Sequence, residues 1–363
     1  MRIAIIAPLV TPIREPQLGG AQSVVVDLAT GLAARHHQVH VYAATGSAIP
    51  GVTVIDTGID SGPLGDSRYR AGRSGHVHGA PTENAFACVY AAVRDVPYDL
   101  VHNHAFDAPA IRLAAGLSVP VIHTLHLPPD HRLAAALHEG WSSDRPPTVA
   151  AVSVSQAGAW RELTRIDLVL PNGVPTARIP WSETPGAGVV FAGRLSPEKG
   201  AAEAIDIAKA AGVRVDLYGD PYDCEYAETH IYPKRTEPGV AVHSGVTRSV
   251  LWAIMMRASV VLCPARWEEP FGLVAAEAQA AGTPVVAFRR GGLQEVVVDG
   301  LTGFLVRPDD IPAAADAVRK APSLARAACR RHAETHLDLE ASLDAHEALY
   351  RRVTQSVEAP AGA

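Results

Sequence analysis

The chain has 363 residues, 48% hydrophobic and 19% charged, with 32 Lys and Arg against 38 Asp and Glu for a net charge of −6. That length exceeds one ordinary hydrophobic core and implies two domains. The acidic balance argues against nucleic acid or an anionic membrane as the main partner.

The opening MRIAIIAPLV reads as a first strand, residues 2–7, and not as a leader. A helical pattern over 20–35 follows, then short apolar, β-branched runs at 38–43, 52–56, 99–102, 120–124, 148–152 and 168–170, most of them separated by helical segments. Continuous apolar strands alternating with helices predict a parallel sheet covered on both faces. The same order restarts at 188–192, 214–218, 240–243, 259–262, 284–287 and 303–306. The expected organisation is therefore two doubly wound domains, 1–172 and 188–336. A Pro- and Gly-rich linker over 173–187 joins them, and a closing helix over 337–363 is expected to pack back toward the first domain. Residues 57–81 are irregular and carry Arg68, Arg70, Arg73, His76 and His78, which suits a binding loop or a plain excursion. No apolar run reaches the about 18 residues a membrane helix needs. Cys88, Cys224, Cys263 and Cys329 are scattered without paired spacing, so neither a disulfide framework nor a zinc site is expected. The expected location is the cytoplasm, with reduced thiols.

Four stretches could carry chemistry. Residues 17–26, QLGGAQSVVV, follow the first strand and open a helix, where Gly19 and Gly20 let backbone N–H groups approach an anion. They do not form the GxGxxG dinucleotide pattern, and a plain strand-to-helix turn explains them equally well. Residues 191–200, FAGRLSPEKG, place Arg194 and Lys199 after a strand of the second half. Open α/β sheets bind ligands at that edge, and a guanidinium with an ammonium suits a diphosphate. Residues 268–287, EEPFGLVAAEAQAAGTPVVA, bracket a helix start near residues 270–272 with Glu269 and Glu277. A rise of about 1.5 Å per residue puts Glu277 roughly 9 Å along the axis, too far from Glu269 for a shared proton. Two acids so separated can address two ends of one extended ligand, or merely favour the helix dipole. Finally, His102, His104, His123 and His126 end two strands of the first half. Imidazoles so grouped raise the thought of a metal, but no carboxylate or thiolate pattern accompanies them.

The order of these stretches along one chain resembles the retaining glycosyltransferases of family four, which use nucleotide-sugar donors on the GT-B fold. GGAQSVVVDLATGLAARHHQVHVYA resembles the family's first Gly-Gly turn and helix, with Gln22 in place of the usual acid and His36 in place of the usual glycine. DLVHNH, VIHTLH, AVSVSQ, LPNGVP, FAGRLSPEKG, EEPFGLVAAEAQAAGTPVVA and GGLQEVVVDGLTGFLV follow in the family's order over about residues 1–320. The resemblance implies an α/β GT-B fold, two Rossmann-like domains facing each other across a cleft that closes to exclude water. It implies that Arg194 and Lys199 bind the donor diphosphate, that Glu277 holds the ribose and that Glu269 contacts the sugar. Backbone groups of Phe271, Gly272, Leu273 and Val274 would then approach the sugar and phosphates, with Gly19 and Gly20 closing over the diphosphate. His126 matches the histidine beside the reacting sugar, and Gln22 and His104 would fall on the acceptor side.

The implied activity is transfer of a hexose-type sugar from a nucleoside-diphosphate donor, UDP favoured and GDP next, to a hydroxyl of a small molecule, saccharide or lipid. Arg194, Lys199 and a helix N-terminus would supply the positive field, so neither metal nor cofactor is expected. A 2-epimerase on the same fold would lack the EPFGLVAAE pattern. A non-catalytic nucleotide-sugar-binding partner protein would not be expected to keep Arg194, Lys199, Glu269 and Glu277 together. No basic amphipathic helix advertises a membrane face, although the family admits peripheral contact.

Overall fold

The computed structural model describes residues 1–60, 80–143, 145–184 and 186–358, so Arg68, Arg70, Arg73, His76 and His78 lie outside the described residues. The chain forms two compact units, one of residues 1–14, 20–171 and 340–363, the other of residues 15–19 and 172–339.

The first unit contains β1 (Arg2–Ile6), α1 (Gly20–Ala34), β2 (Gln38–Ala43), β3 (Thr53–Asp56), α2 (Ala80–Arg94), β4 (Leu100–Asn103), α3 (Ala108–Arg112), β5 (Val121–Leu125), α4 (His131–Trp141), β6 (Thr148–Ala151), α5 (Val154–Arg161) and β7 (Leu168–Val169). The strands form one sheet in the order β3-β2-β1-β4-β5-β6-β7, and each pair is parallel. Strands β4 and β5 are buried along their whole length, although each carries polar residues, His102 and Asn103 on β4 and His123 and Thr124 on β5.

The second unit contains β8 (Val189–Ala192), α6 (Ala201–Ala211), β9 (Val215–Tyr218), α7 (Cys224–Tyr226), β10 (Val240–His243), α8 (Arg248–Arg257), β11 (Val260–Cys263), α9 (Leu273–Ala280), β12 (Val285–Phe288), α10 (Leu293–Val296), β13 (Gly303–Val306), α11 (Ile311–Lys320) and α12 (Arg326–His336). Its parallel sheet runs β10-β9-β8-β11-β12-β13. Val189, Phe191, Leu217, Leu262 and Phe288 of the strands pack with Ile205 of α6 and Val318 of α11 in one core.

The last helix, α13 (Leu339–Glu358), returns the chain to the first unit. Arg35 bonds Glu340 at 2.6 Å and Asp344 at 2.7 Å, and His37 bonds Glu347 at 2.7 Å. Gly31 leaves room for this packing, since a Cβ there would lie 2.5 Å from Leu343 Cδ1.

In each sheet the winding reverses beside the first strand, between β1 and β4 and between β8 and β11. Loops at the carboxyl ends of strands on either side of such a reversal bound a ready crevice.

Candidate active site

In the second unit, the loop after β8 and the loop after β11 flank the reversal and carry the cations and acids. Lys199 reaches both oxygens of Glu269, at 2.9 Å to Oε1 and 2.7 Å to Oε2. The indole N–H of Trp267 donates to Glu269 Oε2 at 2.7 Å, and the Lys199 ammonium lies 4.8 Å from that ring's centroid. The cation and the acid, 70 residues apart in sequence, are thus mutual partners in the structure. Arg194 lies 4.4 Å over the Tyr222 ring and donates to Glu198 Oε1 at 3.1 Å. Stacking on a ring limits a guanidinium's rotamers while leaving its edge able to bond.

Helix α9 begins at Leu273 with Gly272 as its N-cap, at the far end of the expected start near residues 270–272. The reason is Gly272, whose φ of 105° breaks the helical path and which a Cβ-bearing residue rarely adopts. Glu277 therefore sits on the fifth residue of the helix and is buried, and Phe271 is buried just before it. Leu273 and Val274 are half-buried at the start, where the first N–H groups have no intrahelical acceptor. The backbone of the acid loop is clamped by the turn after β12, because Gly292 N donates to Glu269 O at 2.7 Å and Gly291 N to Glu268 Oε2 at 2.7 Å. Gly291 has φ 53°, and a Cβ on it would lie 2.3 Å from the Glu269 carbonyl oxygen. Arg248, the first residue of α8, donates to Glu277 Oε1 from Nε at 3.1 Å and from Nη2 at 2.7 Å.

The corresponding edge of the first unit is built from neutral rings. His104 Nδ1 hydrogen-bonds His126 Nε2 at 2.8 Å, with the rings stacked at 5.1 Å. His102 uses both nitrogens, Nδ1 with Tyr350 Oη and Nε2 with Thr124 Oγ1, each at 2.7 Å. His123 pairs with Asn103 at 3.0 Å, and His346 of α13 lies 5.7 Å from the His102 ring. Burial pushes His126 and His346 down to about 4 and His123 to about 3, and it holds His102 and His104 well below the ordinary imidazole range. These rings are therefore uncharged at neutral pH and bond one another and their neighbours. Among the described residues no group of three or more His, Cys, Asp or Glu is placed to hold a metal ion.

Gly19 precedes α1 and Gly20 is its first residue. Gln22 is buried on α1, and its amide donates to Thr11 Oγ1 and, at 3.2 Å, to Pro12 O. The amide thus ties down the turn after β1, a task for which a carboxylate lacks the N–H groups.

Sequence reading brought Lys199 and Glu269 forward separately, and the structure joins them. It also joins His104 with His126. Trp267, Arg248, Tyr222, the Gly291–Gly292 turn, His346 and Tyr350 were not foreseen. The Gly-Gly pair carried a local signal and Trp267 lies two residues from Glu269, whereas the others are recruited by tertiary contact.

Comparison with known proteins gives family matches in both halves of the chain. Residues 182–335 match the family described as Glycosyl transferases group 1, and residues 18–178 match Glycosyltransferase Family 4. A D-inositol 3-phosphate glycosyltransferase of Mycolicibacterium paratuberculosis is 30% identical over 420 residues, covering 97% of this chain and 90% of its own length. The chain belongs to the family-four glycosyltransferases. This glycosyltransferase is also 31% identical over 258 residues to a glycogen synthase of Mycobacterium tuberculosis, a match spanning 64% of this chain but 62% of the synthase. Among solved structures, sucrose-phosphate synthase from Thermosynechococcus elongatus superposes with a TM-score of 0.79 at 20% identity, covering 98% of this chain and 100% of its own. Anabaena Alr3699/HepE, solved in complex with UDP and glucose, gives a TM-score of 0.71 at 22% identity over 96% of this chain and 99% of its own. At such identities the structures speak to the fold, which is the α/β GT-B class with two Rossmann-like sheets. No helix among the described residues is long and apolar enough to cross a membrane.

Proposed function

We propose that this glycosyltransferase moves a hexose-type sugar from a nucleoside-diphosphate donor to a hydroxyl of a small polar acceptor, with retention of anomeric configuration and without a metal. UDP-sugars are the favoured donors and GDP-sugars next, a preference supported by the UDP and glucose bound in Anabaena Alr3699/HepE. The D-inositol 3-phosphate glycosyltransferase among the relatives supports a polyol or sugar acceptor.

The observation that carries the reading is the pairing of Lys199 with Glu269 at the sheet reversal, with Arg194 in the same loop after β8 as Lys199. When the bond from the anomeric carbon to the β-phosphate oxygen breaks, its electron pair stays on the diphosphate. Preorganised cations aimed at that charge lower the barrier. Lys199 would exchange the Glu269 carboxylate for phosphate oxygens, freeing Glu269 to accept hydrogen bonds from sugar hydroxyls. Arg194, held on Tyr222, would meet the diphosphate as a fork, and the N–H groups of Phe271, Gly272, Leu273 and Val274 would add their dipoles. Glu277 would take the ribose hydroxyls. The acceptor oxygen bonds the anomeric carbon on the face the diphosphate leaves, and its proton passes to the departing phosphate oxygen. In the first unit, His104 and His126 are neutral rings able to hydrogen-bond hydroxyls without adding charge.

The test is a panel of UDP-, GDP- and ADP-sugars scored by thermal shift and by slow donor hydrolysis, with and without EDTA. A donor that stabilises the protein and is hydrolysed equally in EDTA is expected. Metal-reversible loss of hydrolysis would overturn the metal-free reading.

A further inference from the structure

Glu277 is buried on α9, and so is the guanidinium facing it, with side-chain exposures of 6% for Glu277 and 10% for Arg248. The guanidinium is fixed from more than one side. Its carbon lies 5.0 Å over the Trp252 ring, one turn further along α8, and the Arg248 backbone N–H donates to Glu15 Oε2 at 3.2 Å. Two of its nitrogens, Nε and Nη2, converge on one atom, Glu277 Oε1. A buried ion pair is a poor way to stabilise a fold, because removing both charges from water offsets their attraction and an apolar pair serves as well. What the pair does supply is direction. Two N–H groups on one oxygen set the plane and rotamer of the carboxylate and turn Oε2 toward whatever else approaches.

We propose that Arg248 is a positioning residue for the nucleotide: by holding Glu277 through Oε1 it presents Oε2 to the paired hydroxyls of the ribose, and so sets the discrimination between ribose and a sugar lacking them. The proposal rests on the reading of Glu277 as the ribose acid. It adds a residue that lies 29 positions from that acid and in none of the motifs carrying the family resemblance. A lysine can replace it only in part, since an ammonium is a single point of charge on a flexible stem and cannot place two coplanar donors on one oxygen.

The experiment compares the full-length protein with its Arg248→Ala, Arg248→Lys and Glu277→Gln variants. The probe is whichever of UDP, GDP or ADP binds the wild type most tightly, paired with the same nucleotide lacking its 2′- and 3′-hydroxyls. Inorganic pyrophosphate is titrated alongside, and melting confirms the fold. The wild type should favour the ribonucleotide by about tenfold or more, because a site built to hydrogen-bond hydroxyls rejects the analogue without them. Arg248→Ala should bring that ratio to within about threefold of unity with pyrophosphate affinity nearly unchanged, and Arg248→Lys should fall between. Should Arg248→Ala fail to fold, the lysine variant decides alone. If Glu277→Gln loses the discrimination while both Arg248 variants keep the wild-type ratio, the positioning role is overturned and the ribose reading stands. If the wild type shows no discrimination, or Glu277→Gln keeps it, the ribose reading fails and takes the proposal with it.

Discussion

The two sheet reversals solve one placement problem with opposite chemistry. In the second unit, Lys199, Glu269, Arg248 and Glu277 are ionic and matched in pairs. In the first unit, His102, His104, His126 and His346 form a chain of buried rings without charge. A charged edge can respond to a charged ligand by exchanging partners, as Lys199 would on meeting a diphosphate. A neutral edge offers directional hydrogen bonds that change little with ionic strength. The comparison teaches that one fold element, repeated, can be furnished with exchangeable charges in one unit and with fixed neutral hydrogen bonds in the other.

Perturbing the charged edge should have the largest effect. Lys199→Ala should lower kcat by about 10²–10³, the scale seen when one preorganised donor to a developing anion is removed. Its melting temperature should move by only a few degrees, because a partly exposed pair contributes little to stability. Rates near wild type would remove Lys199 from the diphosphate. Glu277→Gln should weaken nucleotide binding about tenfold with a smaller change in sugar selectivity, measured by calorimetry and donor competition. The reverse pattern would mean that the roles of Glu277 and Glu269 are exchanged.

The neutral edge should show itself in acid. His126 and His346 titrate at about 4 in the folded chain, below the roughly 6.5 of an unfolded imidazole. Between those values the unfolded chain binds more protons, so stability is full above about pH 6.5 and is lost as pH falls toward 4. Each ring steepens that loss by about 1 kcal/mol per pH unit. Denaturant midpoints at pH 7 and pH 5 check it, and His346→Gln should flatten the slope. An unchanged midpoint would mean that these rings are hydrated in solution. The smallest effect is expected from Gln22→Glu, which removes the amide donors to Thr11 and Pro12 and should cost about 1–2 kcal/mol in a thermal melt.

Much of the fold was legible because buried parallel strands such as Val189–Ala192 and Val285–Phe288 read as unbroken apolar runs. Residues tied to motifs were legible too, down to Lys199 and Glu269. Their pairing was not, since nothing local connects positions 70 residues apart. Arg248 was hidden for a related reason: it opens the segment RSVLWAIMM, in which a lone arginine reads as a solvated residue at a helix start. Tyr350 meets His102 across 248 residues, and only the return of α13 brings them together. The start of α9, expected near residues 270–272, falls at the far end of that range, with Gly272 at positive φ as the N-cap and Leu273 as the first helical residue.

The central claim is that the chain's own cations carry the charge of the leaving diphosphate. It is tested most directly by transfer or donor hydrolysis in EDTA, wild type against the Arg194→Ala Lys199→Ala double variant. The account predicts full wild-type turnover in EDTA and a double variant reduced to the uncatalysed background while still folded. A double variant that turns over at the wild-type rate would contradict it.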